Sequence, residues 1–210
     1  MAYRETAYVR AKKEEKRQRI LSAAEASFAE KGFGGTSTRE LIQRSGLSTT
    51  AFYAHFSQKE DVLAALVDQI TNDLGAAIQR AIDEGKDAFE RLFLGFLHTF
   101  EVYKDHKALA KILLGDALAF TGAAGEKARH LYRSVADIVK HAFQQMQDKH
   151  LIGNVDLEAF AYAMIGAVNF QIFRWAVWEE ISQEELEHFV RETGKMIANG
   201  VRAVGKKETK

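Results

Sequence analysis

Residues 37–60 read STRELIQRSGLSTTAFYAHFSQKE, and this segment contains the clearest signals for where helices begin and end. Ser37 and Glu40 match the S-x-x-E capping box, which predicts the start of a short helix. Gly46 predicts the end of that helix, because glycine readily adopts the left-handed conformation common at helix C-termini. Ser48 then predicts the cap of another short helix. Two short helices joined around a glycine are typical of a helix-turn-helix.

Longer helices flank this pair, because apolar residues recur at helical spacing through most of the chain. Ser57 and Glu60 form another capping box, which predicts the start of a long helix. The chain has no proline, so no residue forces a helix to stop. The predicted helices lie at about 12–31, 37–45, 49–56, 57–83, 87–104, 106–119, 126–149, 156–179 and 183–204.

The predicted fold class is therefore all-α, with about nine helices in two domains. Residues 1–58 are expected to form an N-terminal three-helix helix-turn-helix domain. Residues 59–205 are expected to form a C-terminal antiparallel helical domain. Residues 206–210 are charged and terminal, and a disordered tail is expected there.

The charge of the chain is balanced overall but unevenly distributed. Its 210 residues hold 29 Lys and Arg against 29 Asp and Glu. Residues 1–60 hold 11 basic and 7 acidic side chains, a net charge of +4, and the remainder carries −4. A basic N-terminal part indicates a polyanionic partner. The open alternative is that these cations only solvate the outer face of the first helix.

Composition excludes several classes of protein. The chain has no cysteine, which excludes a disulfide scaffold, thiolate metal ligands and a thiol nucleophile. Residues 1–19 lack an apolar segment, so no secretory signal is predicted. The longest uncharged run, residues 159–173, has 15 residues, short of the roughly 20 that span a membrane. A cytoplasmic protein without a membrane partner is expected.

The second short helix has two chemically different faces. Phe52 and Phe56, four residues apart, are predicted to point into the core. Thr49, Thr50 and Tyr53 are then predicted to point outward. The first residues of a recognition helix lie nearest the base edges of the major groove, where hydroxyl groups bind bases or phosphates.

Arg39, in the first turn of the preceding helix, is the guanidinium placed to form a bidentate contact with guanine. An ordinary solvated surface is the alternative for each such residue alone, but their joint spacing between two capping boxes favours double-stranded DNA as the partner. The candidate DNA-binding residues are Thr38, Arg39, Ser48, Thr49, Thr50, Tyr53, His55 and Lys59.

Residues 19–63 resemble the DNA-binding domain of TetR-family transcriptional regulators. The matching elements are Arg19-Ile20-Leu21, Phe28-Ala29-Glu30-Lys31-Gly32-Phe33, Gly46-Leu47-Ser48, Phe52-Tyr53-Ala54-His55-Phe56 and Lys59-Glu60. By this resemblance, Thr38, Arg39, Thr49 and Thr50 fall at positions that touch DNA in various members, and Tyr53, His55 and Lys59 fall at the usual phosphate-contacting positions. Ile42 and Ser45 stand where the family commonly has alanine and Thr50 where it has glycine, which leaves the operator sequence open.

Aromatic residues dominate one face of the helix predicted at 87–104. Phe89, Phe93, Phe96 and Phe100 form a stripe, which is typical of plain core and also of a pocket wall. His98 lies opposite and is predicted to be solvated. The helix at 156–179 is apolar nearly all round, so we expect burial on both sides, with polar atoms on its inner face that need a partner such as a ligand, a carbonyl or water. The candidate effector-binding residues are Phe93, Phe96, Phe100, Tyr162, Asn169 and Phe173.

Small and apolar residues on the last two helices would remain exposed in a single chain, and a two-fold copy would cover them. The resemblance likewise implies dimerisation through the final two long helices. The candidate dimer-interface residues are Ala163, Ala167, Phe170, Phe189 and Ile197.

The resulting hypothesis is a homodimeric repressor that a small, largely apolar effector releases from a palindromic operator; repression is what the resemblance implies. One alternative is a TetR-like architectural DNA-binding protein without an effector. A remote alternative is a helical-bundle enzyme, since Glu185 and His188 form one Glu-x-x-His, but the second copy that a di-iron bundle needs is absent from the sequence. No catalytic residue, metal or cofactor is therefore predicted, and the effector and the regulated genes stay open.

Overall fold

The computed structural model describes residues 6–116 and 122–205, and the regular structure of these residues is helical throughout. The helices are α1 (Ala7–Lys31), α2 (Thr38–Ser45), α3 (Thr49–Tyr53), α4 (Lys59–Glu84), α5 (Ala88–Asp105), α6 (Lys107–Lys111), α7 (Gly122–Asp148), α8 (Leu157–Ala176) and α9 (Gln183–Gly205). A π-helical turn, Ile112–Asp116, continues α6. The prediction of an all-α fold is confirmed. The predicted tail, 206–210, lies outside the described residues.

The caps of the two short helices are those that the sequence predicts. The Glu40 backbone N–H donates to Ser37 Oγ at 3.2 Å at the start of α2. The Ala51 N–H donates to Ser48 Oγ, also at 3.2 Å, at the start of α3. α3 ends at Tyr53, three residues earlier than predicted. Both helices are thus fixed by local hydrogen bonds that satisfy otherwise orphaned N–H groups.

The second predicted capping box, Ser57 with Glu60, is wrong. α4 begins at Lys59, after Gln58, whose side chain makes no capping hydrogen bond. The Ser57 N–H instead donates to Asp61 Oδ2 at 3.1 Å. Asp61 is the third residue of α4, the position from which a carboxylate reaches back over the first turn.

The core of the N-terminal part lies between α1, α2, α3 and the first turns of α4. Ile20, Leu41, Phe52 and Val62 are completely buried, and Phe56 is nearly so. Four of these side chains come from α1, α2, α3 and α4, one from each helix, so the shared core orients α3 relative to α1.

Arg19 fixes the turn between α2 and α3. Its guanidinium donates to the Ser45 carbonyl at 2.8 Å and to the Gly46 carbonyl at 3.1 Å. Gly46 has φ 64°, the left-handed conformation that ends α2. The turn of the helix-turn-helix is therefore held by one α1 side chain as well as by its own backbone.

α4 connects the two parts of the molecule. It packs on α1 near its start and on α5 and α7 further along. The buried residues form one cluster that continues from α1 through α4 to α8. The predicted boundary between 1–58 and 59–205 coincides with the first residue of α4 and stays a prediction.

The C-terminal part is a layered arrangement in which α5 packs on α4 and α9, and α8 packs on α7 and α9. Within one chain α8 is buried on one side, and its predicted burial on the other side stays a prediction. Ala161, Met164, Val168 and Ile172 are buried on one side, whereas Phe170, on the opposite side, is exposed. Among the described residues, no helix combines the length and apolarity needed to cross a membrane.

Candidate nucleic-acid interface and internal cavity

The outer face of α3 is a projecting surface of hydroxyl groups. Thr49 and Thr50 are exposed, and Tyr53 is 52% exposed, whereas the neighbouring Phe52 is completely buried. The Tyr53 ring stands edge-on to the Phe52 ring at 5.5 Å between centroids. The buried ring thus supports the exposed one, and α3 presents its first turn and one phenol to solvent.

Three further candidates lie on α2 and in the turn before α3. Arg39 is exposed and forms no hydrogen bond or ion pair within the described residues, while Thr38 is half-buried; both lie in the first turn of α2. Ser48 is exposed, but its oxygen already accepts from the Ala51 N–H, so its hydroxyl is left mainly as a donor. A guanidinium at the start of α2 and a hydroxyl at the start of α3 are therefore exposed to solvent.

Lys59 has different partners from those the sequence indicates. Its ammonium donates to the Phe33 carbonyl at 2.9 Å and to the Thr36 carbonyl at 2.8 Å. It also lies 4.4 Å from the centroid of the Phe33 ring. Two of its three N–H donors join α4 to the turn between α1 and α2, and the phosphate contact predicted for Lys59 stays a prediction.

His55 is half-buried at the end of α3, beside the cations of α1. Burial, together with the nearby charges of Lys13, Lys16 and Arg17, lowers the pKa of His55 below its ordinary value. The Arg17 guanidinium lies 5.8 Å from the Phe56 ring centroid, directly under α3. The neutral imidazole is therefore favoured at pH 7 in the absence of an anion.

The first three turns of α1 extend beyond the domain core. Lys12, Lys13 and Lys16 are exposed, and burial in α1 begins only at Ile20. Because Lys13 and Lys16 act on His55, this basic helical face continues the α3 surface. The net positive charge found in the sequence is thus placed next to the exposed hydroxyls.

A cavity of about 670 Å³ lies between α4, α5, α7 and α8. Its wall is mainly aliphatic and aromatic, and it also includes the exposed polar side chains of Arg91, Asp137, His141 and Gln145. The lining includes Leu74, Ile78, Ile82, Leu92, Phe96, Tyr103, Leu131, Tyr132, Val135, Val139, Phe143, Met146, Met164, Val168 and Asn169. This volume and chemistry are typical of a site for a small, largely apolar molecule.

Two of the six predicted effector-binding residues, Phe96 and Asn169, line this cavity, and the other four do not. Phe93 faces α9, where a Cβ added at Gly194 would meet Phe93 Cδ2 at 3.1 Å. Phe100 is buried in the core and lies outside the lining. The phenylalanine stripe is therefore mostly core, because it turns toward α9 rather than toward α7.

Tyr162 and Phe173 lie on other surfaces of α8. Tyr162 is 43% exposed, about a quarter-turn from the cavity face. The Phe173 ring packs edge-on against Trp178 at 5.0 Å between centroids. The predicted inner face of α8 is therefore rotated relative to the observed one, and Asn169 alone of this group reaches the cavity.

The residues that sequence reasoning missed are on α7 and at the end of α5. Tyr103 and Tyr132 both line the cavity. The Tyr132 hydroxyl is buried and has no hydrogen-bond partner among the residues that the structure describes. Burial raises the pKa of Tyr132 to about 12 and also raises that of Tyr103, so both phenols are neutral at pH 7. The available signal was the helical recurrence of Leu131, Val135 and neighbouring apolar residues of α7.

The exposed face of α8 is apolar. Phe170 is 53% exposed, Ala163 is exposed, and Gly166 has open space around it. Phe189 and Ile197 are instead half-buried against this chain's own core. Their assignment to a dimer interface stays a prediction, and part of each side chain is already covered within the chain.

His98 and Glu185 each make contacts within the chain. His98 Nε2 lies 2.9 Å from Glu84 Oε2 and its Nδ1 lies 3.2 Å from Glu101 Oε2, so the ring joins α4 to α5 and is not solvated as predicted. Glu185 Oε2 accepts from the Ser182 N–H at 2.8 Å and so caps α9. The carboxylate of the single Glu-x-x-His is thus used structurally.

Comparisons with known proteins agree with this geometry. Residues 20–66 match the family described as bacterial regulatory proteins, tetR family. The nucleoid occlusion factor SlmA of Vibrio vulnificus is 33% identical over 110 residues, which are 52% of this chain and 56% of that protein. The HTH-type transcriptional repressor KstR2 of Mycobacterium tuberculosis is 29% identical over 102 residues, 49% of this chain and 51% of that protein. The chain thus spans about half the length of these curated relatives.

A solved structure extends the likeness to the C-terminal part. A Syntrophomonas wolfei protein assigned to the TetR family of transcriptional regulators has a TM-score of 0.78 and 26% identity. The match covers 90% of this chain and 97% of that one.

Proposed function

This chain belongs to the tetR family of bacterial regulatory proteins, and we propose that it is a homodimeric repressor released from a palindromic operator by a small, largely apolar effector. The observation that supports DNA binding most strongly is the exposed first turn of α3, which stands over the buried Phe52. The cavity supports the effector. Repression is supported by the similarity to KstR2.

The proposed DNA contacts divide into base contacts and backbone contacts. Thr49 and Thr50 reach base edges, since they lie at the N-terminal end of α3, and Arg39 reaches a base edge from the first turn of α2. Tyr53 and His55 lie further along, where phosphates pass. Contacts to bases carry sequence preference, and contacts to phosphates add affinity that falls with salt concentration.

Two recognition helices have to lie about 34–36 Å apart, or a multiple of this distance, to read a palindrome. A second copy of the chain, docked on the apolar face of α8, would supply the other α3. Ala163, Gly166 and Phe170 form this face, and their size allows close approach of another helix.

α4 is the element that would couple the effector to DNA. Its start holds the turn between α1 and α2 through Lys59, and its later part lines the cavity with Leu74, Ile78 and Ile82. A ligand that favours one position of α4 would change the separation of the two α3 helices. Coupling of about 1–3 kcal/mol is typical of linked sites.

Arg39→Ala and Lys59→Ala test the division of roles on a duplex selected from a random pool. Arg39→Ala is expected to reduce discrimination at one base pair by about 1–3 kcal/mol, because a bidentate contact is lost. Lys59→Ala is expected to weaken binding to all duplex sequences alike. It is also expected to lower the stability of the protein, because two carbonyl groups lose their donor. Titrations against the selected duplex and its single-base variants measure both. If Arg39→Ala and Lys59→Ala each lower the affinity for all duplexes equally, Arg39 does not read a base.

DNA affinity should rise as the pH falls from 8 to 6. His55 has a lowered pKa in the free protein, and a phosphate next to it would favour the charged imidazolium, so binding takes up a proton. Residues 6–66 contain no other histidine, which makes His55→Gln a suitable comparison. Fluorescence titrations at several pH values should show a pH dependence that the variant lacks. The same pH dependence in both proteins would contradict a phosphate beside His55.

An architectural DNA-binding role without an effector is the second candidate. It is favoured by the similarity to the nucleoid occlusion factor SlmA over about half of this chain. The cavity favours the ligand-responsive role. If no lipophilic compound binds the protein or alters its affinity for the selected duplex, the architectural role is the better account.

A further inference from the structure

The cavity has a closed end and an open end, and the lining residues of α4 and α5 give the direction. On α4, Leu74 is buried whereas Ile82 is 37% exposed. On α7, Ile138 is 41% exposed in the middle of the lining segment, whereas Leu131 before it and Phe143 and Met146 after it are buried. On α5, the exposed Arg91 lies about 18 Å along the helix from the buried Tyr103 (1.5 Å per residue). The cavity is therefore an elongated pocket with Tyr103 and Tyr132 at its closed end.

The closed end contains a polar atom that residues 6–116 and 122–205 do not satisfy. Within these residues the Tyr132 hydroxyl is buried without a hydrogen-bond partner, although buried polar groups are nearly always paired. Tyr132 is among the lining residues, on the helix that forms one complete side of the pocket. A bound molecule with an oxygen atom at this depth would supply the missing partner.

The charge distribution along the pocket restricts what that molecule can be. Apart from the two tyrosines, the ionisable side chains of the lining are Arg91, Asp137 and His141, and all three are exposed. Around Tyr103 and Tyr132 the lining is apolar, and both phenols stay protonated at pH 7 because burial raises their pKa values. An ionised headgroup placed there would lose its hydration without gaining a counter-ion.

We propose that the pocket binds an elongated, uncharged lipophilic molecule with a hydroxyl or carbonyl oxygen at its buried end, to which the Tyr132 hydroxyl donates. This inference rests on the proposed function in treating the pocket as the effector site. It adds the class of ligand, a neutral oxygenated lipid rather than a fatty carboxylate, and the orientation in which it enters.

Three ten-carbon probes separate the contributions of the alkyl chain and of its end group to binding affinity. They are 1-decanol, 1-chlorodecane and decanoate, each at pH 8. We expect 1-decanol to bind more tightly than the other two in calorimetric or thermal-shift titrations of the full chain. Tyr132→Phe should weaken the binding of 1-decanol about tenfold, because the hydrogen bond is lost, and leave the affinity for 1-chlorodecane unchanged. Tyr162→Phe, a change at an exposed tyrosine outside the pocket, should alter none of them.

A second measurement keeps the test independent of ligand solubility. Because Tyr132→Phe removes an unsatisfied buried hydroxyl, the ligand-free variant should melt at a temperature equal to or about 2–4 °C above that of the parent. A clear loss of ligand-free stability would show that the hydroxyl already has a partner, and this would overturn the proposal. Equal affinity of the parent and Tyr132→Phe for 1-decanol, tighter binding of decanoate, or no binding of any probe would also overturn it.

DNA release separates this proposal from the proposed function. If 1-decanol binds in a Tyr132-dependent way but leaves affinity for the selected duplex unchanged, the ligand class stands and release by an effector fails. If 1-decanol releases the duplex from the parent and from Tyr132→Phe at the same concentration, release stands and the role of Tyr132 fails.

Discussion

Replacing Phe52 by alanine is expected to lower the free energy of unfolding by about 3–5 kcal/mol, the usual cost of removing a large buried aromatic side chain. Phe52 is completely buried beneath α3 and contacts the rings of Tyr53 and Phe56. The cavity left behind would lie directly under the proposed recognition helix. Denaturant titration followed by circular dichroism measures the loss.

The adjacent residue provides the matched comparison. Tyr53→Ala removes a ring that is 52% exposed, so the expected destabilisation is about 1 kcal/mol or less. DNA affinity should nevertheless fall, because a proposed phosphate contact is lost. Two neighbouring aromatic residues would thus separate stability from binding. A large loss of stability in Tyr53→Ala, or none in Phe52→Ala, would contradict the observed orientation of α3.

Phe170→Glu is expected to convert the proposed dimer to monomers. Phe170 is 53% exposed on the apolar face of α8 and packs edge-on against Trp178 at 5.7 Å between ring centroids. A carboxylate buried against a second copy of this face would lose its hydration without a counter-ion. Sedimentation measures the change in mass. Affinity for a palindromic duplex should fall about 100-fold or more, because the second half-site no longer adds avidity.

Leu151→Glu is the control for this change. Leu151 is 46% exposed in the segment between α7 and α8, so the same charge is introduced at a comparable apolar surface outside the α8 face. The control should remain dimeric and bind the palindrome normally. A dimeric Phe170→Glu protein would show that another surface holds the two copies together.

Local chemistry explains what the sequence could predict about the N-terminal part. The caps at Ser37 and Ser48 depend on residues three positions away, so the sequence alone indicates where α2 and α3 begin. The same reasoning failed at Ser57 because Asp61 competes with Glu60 as the acceptor. The partners of Lys59 lie 23 and 26 residues away in the chain, which no local pattern reveals.

Helical periodicity explains the errors in the C-terminal part. It identifies an apolar face, but it does not identify the helix that covers that face. Phe93 is on a correctly predicted apolar face, yet it packs toward Gly194 of α9 instead of lining the cavity, and Ile197 is half-buried against the chain's own core. Tyr132 was missed for the same reason, since its unsatisfied hydroxyl is a consequence of tertiary packing.

We expect α3 to lie in the major groove of a palindromic operator. A DNA-cleaving group attached to α3 would detect this placement. The chain contains no cysteine, so Ala54→Cys, at an exposed position next to α3, gives one attachment site for an iron chelate. The expected result is two symmetry-related clusters of strand cleavage on the selected duplex, about 10 base pairs or a multiple apart. His188→Cys, at an exposed position on α9, should give no localised cleavage. Cleavage from α9 instead of α3, or none from either position while the protein is bound, would contradict the account.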